Sequence, residues 1–113
     1  GKEFIQLTGN DDNALEFNKR GGVGAIGVTA NVAAKLASDF QKACAEDARR
    51  AAELDKLLQP LHSSLFIESN PSPVKYAASL LGMCKPNVRL PLVEIRDETK
   101  KKVSEALKVA KLL

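Results

Sequence analysis

The chain has 113 residues, of which 44% are hydrophobic and 27% charged, the balance of one small globular domain. A net charge of +3 without an arginine–aromatic cluster argues against nucleic-acid binding. No apolar run approaches the roughly 20 residues that a membrane-spanning helix needs. Charged Lys2 and Glu3 precede a short strand-like run, which is not a signal-peptide pattern. These features predict a cytoplasmic protein that binds neither membranes nor nucleic acid.

The first part of the chain predicts an α/β fold. Residues 4–8 and 25–28 have the composition of short strands, and a helical pattern over 11–20 lies between them. The second strand lacks polar alternation, so we expect it to be parallel to the first and buried on both faces, with Ile26 at its centre. A two-stranded sheet is too small to be stable alone, so the chain should belong to something larger or need a partner chain.

Local signals mark the ends of the first helices. Asp11 or Asp12 is placed to cap helix 11–20, and Gly21 or Gly22 is placed to end it. Asn31 is predicted to cap the helix that follows the second strand. Asn10, Asp11 and Asp12 also follow a strand directly, and strand ends carry sites in α/β barrels. A helix cap is the simpler interpretation, and a metal or acid–base site is the alternative.

Beyond residue 31 the pattern is helical almost throughout. A stripe of apolar residues at helical spacing predicts an amphipathic helix that ends near 45–47 and is followed by a second one. Pro60 should kink that second helix. Prolines make 68–73 a loop and 84–96 irregular, with helices over 74–83 and from Asp97 onward. The stripe consists of Val32, Leu36, Phe40 and Cys44.

Several other patterns have ordinary structural explanations. Gly22, Gly24 and Gly27 match a dinucleotide-binding spacing, but they lie before and inside a strand rather than after one, so we expect a helix stop and tight packing. His62 beside two serines lacks the supporting carboxylate of a hydrolase, which favours a structural helix residue.

The two cysteines indicate no metal site. Cys44 and Cys84 lie far apart, and His62 is the single histidine, so no zinc ligand set exists. We expect two buried, reduced thiols, with a disulfide as the alternative.

Five stretches together resemble the C-terminal part of the dihydrodipicolinate synthase family. The glycine-rich stretch resembles that family's eighth barrel strand, and Thr8-Gly9-Asn10-Asp11 is similar to the Ser-Gly-Asp-Asp that ends its seventh. The resemblance is colinear over essentially all 113 residues. The other stretches are Pro60-Leu61-His62, Glu68-x-Asn70-Pro71-x-Pro73-Val74-Lys75 and Arg89-Leu90-Pro91-Leu92.

This resemblance implies the C-terminal portion of a (β/α)8 TIM barrel, with strands seven and eight, followed by a helical domain. Residues 1–44 would be the last two βα units and residues 45–113 the helical domain. The remaining partners would be the rest of the barrel and further copies of the chain, in a homotetramer.

The resemblance also implies an aldolase-type lyase of lysine biosynthesis. Such an enzyme condenses pyruvate with aspartate semialdehyde through a lysine Schiff base, without a metal or an organic cofactor. The Schiff-base lysine, a proton-relay tyrosine and a substrate-binding arginine would all precede Gly1, and Lys2 does not match that lysine. No catalytic residue would then lie in this chain, which should be inactive alone. The alternatives are a related pyruvate-dependent aldolase of the N-acetylneuraminate lyase superfamily and a non-catalytic helical interaction domain.

Five positions match the family's substrate-binding residues: Gly9, Asn10, Asp11, Ile26 and Asn70. By resemblance, Ile26 contributes its backbone carbonyl near the Schiff-base lysine, and Asn10 and Asp11 lie at the pocket entrance. The chain departs from the family at two positions. Asn10 replaces an Asp, which removes a charge, and Gly27 replaces a Ser, which is expected to loosen the packing of the strand.

Overall fold

The computed structural model describes residues 3–113, so Lys2 lies outside the described part. Two 3-10 turns, Asp11–Asn13 and Thr29–Asn31, precede α1 and α2 respectively. Within residues 3–113 no helix is both long and apolar enough to cross a membrane. The helices are α1 (Ala14–Lys19), α2 (Ala34–Glu46), α3 (Ala48–Ser64), α4 (Ser72–Leu80) and α5 (Asp97–Val109).

The predicted strands are reduced to one parallel bridge between Thr8 and Ala25. The Thr8 amide donates to the Gly24 carbonyl at 3.0 Å, and the Ile26 amide donates to the Thr8 carbonyl at 2.9 Å. This pattern confirms that the two segments are adjacent and parallel at this point. The prediction of regular strands over 4–8 and 25–28 is wrong for the described residues.

The register of the ladder shifts on the N-terminal side of this bridge. A regular parallel ladder would direct the Gly24 amide to the Gln6 carbonyl. Instead, the Val23 amide donates to the Gln6 carbonyl at 3.0 Å. The two segments are therefore out of step by one residue there, which prevents a continuous strand pair.

The prediction that the second strand is buried on both faces is also wrong for this chain. Ile26 is 74% exposed, and Phe4 and Ile5 on the facing segment are 73% and 72% exposed. The physical reason is that, within residues 3–113, each extended segment has only the other to pair with, so the side chains on the outer faces stay largely exposed. Contiguous apolar exposure of this kind is typical of a surface that further protein covers.

The first helical unit ends where the glycines predict. Gly21 has φ +105°, and its amide donates to the Asn18 carbonyl at 3.2 Å. The Gly22 amide donates to the Phe17 carbonyl at 3.1 Å. Together these bonds form a Schellman motif, which satisfies the last carbonyls of α1 and requires a residue that tolerates positive φ.

The predicted N-terminal caps of the first helices are wrong. Asn10 occupies the capping position of the first turn and makes no side-chain cap bond, and neither Asp11 nor Asp12 caps it. Asn31 lies inside the second 3-10 turn, where its side-chain amide donates to the Val28 carbonyl at 3.0 Å. The long helix α2 begins only at Ala34.

Helix α3 is the centre of the helical part, because it packs against both α2 and α5. The predicted break before it is confirmed, since the Asp47 side chain accepts a bond from the Arg50 amide at 3.2 Å. The helix continues through Pro60 to its end. Its buried residues are Ala51, Leu54, Leu58, Leu61, His62 and Ser64.

The α2 stripe packs as predicted, and the cysteines do so only in part. Val32 and Phe40 are buried, and Cys44 is half-buried. Both cysteines are free thiols. The prediction that both are buried is wrong for Cys84, which is exposed because it lies in the irregular segment after α4 rather than on a helix face.

The loop after α3 is tied to the start of α5 by Glu68. Its carboxylate accepts a hydrogen bond from the Arg96 amide at 3.0 Å. A hydrogen bond from the buried Thr99 hydroxyl, together with that amide, lowers the pKa of Glu68. The carboxylate therefore serves as a cap supplied by a distant residue, which fixes where α5 begins.

Two valines on α5 allow the effect of burial on stability to be separated from the effect of helix propensity. Val103 is fully buried, whereas Val109 is 48% exposed. We expect Val103→Ala to lower the free energy of unfolding by roughly 2 kcal/mol, from lost burial and the cavity left behind. Val109→Ala is the matched control, because it makes the same change of propensity in the same helix. Urea unfolding of the purified protein measures both, and equal losses would contradict the described core.

Candidate functional site

A buried hydroxyl organises the turn that follows the first extended segment. Thr8 is 6% exposed, and its Oγ1 accepts a hydrogen bond from the Asn10 amide at 3.1 Å. The same hydroxyl donates to Asn13 Oδ1 at 2.8 Å. Thr8 therefore holds both ends of the loop that carries Asn10 and Asp11.

The carboxylate of Asp11 reaches across to the second segment. Its Oδ2 accepts hydrogen bonds from the Val28 amide at 2.7 Å and from the Thr29 amide at 3.0 Å. Both amides lie at the start of the second 3-10 turn, where no backbone acceptor satisfies them. Asp11 thus caps a turn 17 residues along the chain instead of its own helix. Bonds of amides to a carboxylate are among the stronger ones in proteins.

Gly27 makes room for this carboxylate. A Cβ atom at position 27 would overlap the Asp11 carboxylate carbon and both of its oxygens. The expectation that glycine loosens the packing here is therefore wrong, because the space of the missing side chain is filled by Asp11. A side chain at position 27 would require the Asp11 carboxylate to shift from its present position.

The Thr8 and Asp11 bonds replace the next rungs of the parallel ladder. Continuation beyond the Thr8–Ala25 bridge would direct the Asn10 amide to the Ile26 carbonyl and the Val28 amide to the Asn10 carbonyl. The Asn10 amide goes to the Thr8 hydroxyl instead, and the Val28 amide goes to Asp11. Within the described part of the chain, the Ile26 carbonyl consequently receives no hydrogen bond.

His62 connects the same turn to the helical part. Its Nδ1 lies 2.7 Å from the Oγ1 of Thr29, and both residues are buried. Burial lowers the pKa of His62 and outweighs the opposing effect of Asp11, Asp55 and Asp12. The imidazole is therefore neutral at pH 7. This agrees with the predicted structural role, although the partner Thr29 could not be inferred from the residues next to His62.

A cavity of about 270 Å³ lies over these residues. The structure places Asn10 and Asp11 together in its lining and adds His62 to them. Asn70 is not part of this lining and is exposed in the loop before α4. The full lining comprises Asn10, Asp11, Asp12, His62, Ser63 and Phe66.

The remaining expected site residues lie at the ends of the bridged segments. Gly9 follows Thr8 directly and is exposed, with open space where a side chain would be. Ile26 presents its exposed side chain on the outer face of the second segment. Among residues 3–113 no group of three His, Cys, Asp or Glu side chains could hold a metal ion.

Comparison with known proteins defines the class to which this fold and site belong. A profile described as the dihydrodipicolinate synthetase family matches residues 1–110. The 4-hydroxy-tetrahydrodipicolinate synthase of Pelagibacter ubique is 67% identical over a match that covers all of this chain and 40% of the relative. The chain belongs to the dihydrodipicolinate synthetase family and spans about 40% of the length of such curated relatives.

Solved structures agree with this assignment. The crystal structure of dihydrodipicolinate synthase from Aquifex aeolicus is 40% identical, with a TM-score of 0.91, and the match covers 99% of this chain and 39% of that one. The chloride-inhibited enzyme from Acinetobacter baumannii, solved in complex with pyruvate, is 35% identical, with a TM-score of 0.90. That match covers 97% of this chain and 38% of the Acinetobacter chain. The described architecture is therefore part of a known enzyme fold.

The lowered pKa of His62 predicts a pH-dependent stability. The ordinary value is 6.5, so neutral His62 stabilises the folded state fully above that pH. Its contribution is lost as the pH falls through the lower folded-state pKa. His62→Gln keeps a hydrogen-bonding side chain without a titrating group. We expect the thermal midpoint of the wild type, relative to His62→Gln, to fall between pH 7 and pH 5. Parallel pH profiles for the two proteins would contradict the prediction.

Proposed function

We propose that this chain is the C-terminal segment of an enzyme that condenses pyruvate with aspartate semialdehyde, as a 4-hydroxy-tetrahydrodipicolinate synthase in lysine biosynthesis. The observation that carries this proposal is the 67% identity to the Pelagibacter ubique synthase across the whole chain. The pyruvate complex of the structurally similar Acinetobacter enzyme supports the choice of the first substrate.

The proposed chemistry uses a lysine outside this chain. Pyruvate forms an imine with that lysine, and the imine acts as an electron sink that lets the methyl carbon of pyruvate attack the aldehyde. No metal or organic cofactor is needed for this step. The tyrosine and arginine that serve proton relay and substrate carboxylate binding also lie outside this chain. The segment supplies the walls of the pocket rather than the nucleophile.

We propose roles for five residues in that pocket. Gly9 and the Ile26 carbonyl line the pyruvate site, and the absence of any hydrogen bond to that carbonyl among residues 3–113 supports its role. Asn10 and Asp11 lie at the entrance, which their shared place in the 270 Å³ cavity supports. Asn70 lies outside the 270 Å³ cavity, and we propose on the strength of its motif alone that it faces the substrate pocket of the whole enzyme.

The architecture of the whole protein is part of the proposal. Residues 1–44 form the seventh and eighth βα units of a TIM barrel, and residues 45–113 form a helical domain behind them. The exposed apolar side chains of Phe4, Ile5 and Ile26 support this, because neighbouring barrel strands and helices would cover them. We propose a cytoplasmic homotetramer as the working form.

A chimera tests the proposed function. This segment replaces the matching segment of the Pelagibacter ubique synthase, and the unmodified synthase is the control. We expect the chimera to condense pyruvate with aspartate semialdehyde within about tenfold of the control rate. A folded chimera that is inactive, or that prefers N-acetylmannosamine as the aldehyde, would refute the proposal. The second result would assign the segment to a related pyruvate-dependent aldolase.

Borohydride trapping locates the reacting lysine. Reduction of the isolated chain with pyruvate should leave its mass unchanged, because no lysine here matches the Schiff-base position. The chimera should gain one pyruvyl adduct on a lysine outside the segment. Peptide mass spectrometry measures both, and an adduct on any lysine of this chain would contradict the assignment.

A further inference from the structure

We propose that Asp11 and Thr8 are positioning residues that keep the Ile26 carbonyl free to face the reacting imine. Each takes a backbone amide that a continuing sheet would use, and the carbonyl is thereby left without a donor. This inference rests on the proposed function. It holds that Asp11 acts by binding backbone amides and not by contacting the aldehyde substrate.

Among residues 3–113 the Ile26 carbonyl lacks the donor that a regular sheet would supply. In a continuing parallel ladder the Asn10 amide would donate to the Ile26 carbonyl. The Thr8 hydroxyl accepts that amide at 3.1 Å, so the donor is turned away from the carbonyl. Thr8 is buried, and its second bond to Asn13 fixes the direction of the hydroxyl.

The peptide units that follow Ile26 need another acceptor once the sheet has ended. The Val28 amide would have donated to the Asn10 carbonyl, and loss of that rung would leave the amide without a partner. Asp11 satisfies it at 2.7 Å and adds the Thr29 amide at 3.0 Å. The turn after Ile26 is therefore held in place although the sheet has ended.

The hydrogen bonds that the Asp11 carboxylate already accepts limit its role in substrate binding. Its Oδ2 already accepts two amides, and the whole group fills the space above Gly27. An acceptor committed in this way is poorly placed to bind a substrate group as well. The geometry therefore favours a positioning role, in which a neutral acceptor of the same shape should keep the two amide bonds in weaker form.

Aspartate variants in the chimera test this directly. Asp11→Ala should lower kcat on the order of 100-fold through misplacement of the carbonyl, with the KM for aspartate semialdehyde unchanged. Asp11→Asn keeps an acceptor oxygen and should restore most of kcat. Asp97→Ala is the matched control, because that carboxylate is fully exposed at the start of α5. A raised KM in both Asp11 variants, or an unchanged kcat in Asp11→Ala, would overturn the proposal.

Variants of Thr8 test the proposed role of its hydroxyl independently of Asp11. Thr8→Val keeps the shape and removes the hydroxyl, so the Asn10 amide can pair with the Ile26 carbonyl. We expect a lower kcat and slower trapping of the pyruvate imine by borohydride. Thr8→Ser should restore both rates, and equal loss in the two variants would contradict the hydroxyl's role.

A double-mutant cycle links the carboxylate to Gly27. Gly27→Ala should displace Asp11, so adding Asp11→Ala to it should lower kcat little further. Additive losses would show that the two residues act separately and would overturn the coupling. An unmodified chimera without condensation activity refutes the proposed function and this inference together. An active chimera whose variants behave like the wild type refutes this inference alone.

Discussion

The carboxylate of Asp11 accepts the amides of Val28 and Thr29, and the rest of the candidate site depends on this contact. It joins two segments that otherwise share a single bridge and a few backbone bonds. Through the Thr29 hydroxyl the contact continues to His62, and so to the central helix α3. The carboxylate also occupies the space that a side chain at position 27 would need. Beyond the point where the backbone hydrogen bonds of the ladder end, side chains therefore hold the wall of the pocket in place.

The helices of this protein depend on signals between residues close together in the sequence, which makes them predictable. A cap at Asp47, a glycine of positive φ at Gly21 and the apolar spacing of α5 each act over a few residues. The motif around Glu68 pointed to the family, and the structure explains part of it, because that glutamate caps α5 from a distance.

The extended segments were harder to predict because their structure depends on partners far along the chain. Asp11 looked like a cap for the adjacent helix, since nothing in the local pattern shows an acceptor bound 17 residues away. Ile26 looked buried because its run is apolar, yet burial needs neighbours that residues 3–113 do not supply. The Asn10 amide likewise donates to the Thr8 hydroxyl and not along the ladder. Amino-acid composition does not show the direction of that hydroxyl.

Hydrogen exchange tests the central contact most directly. Mass spectrometry of the chimera follows exchange in peptides that contain the Val28 and Thr29 amides, with the Asp11→Ala and Asp97→Ala variants beside it. The account predicts slow exchange in the unmodified chimera and in Asp97→Ala, and clearly faster exchange in Asp11→Ala. Equal exchange in all three proteins would show that the carboxylate does not hold these amides, and would contradict the account.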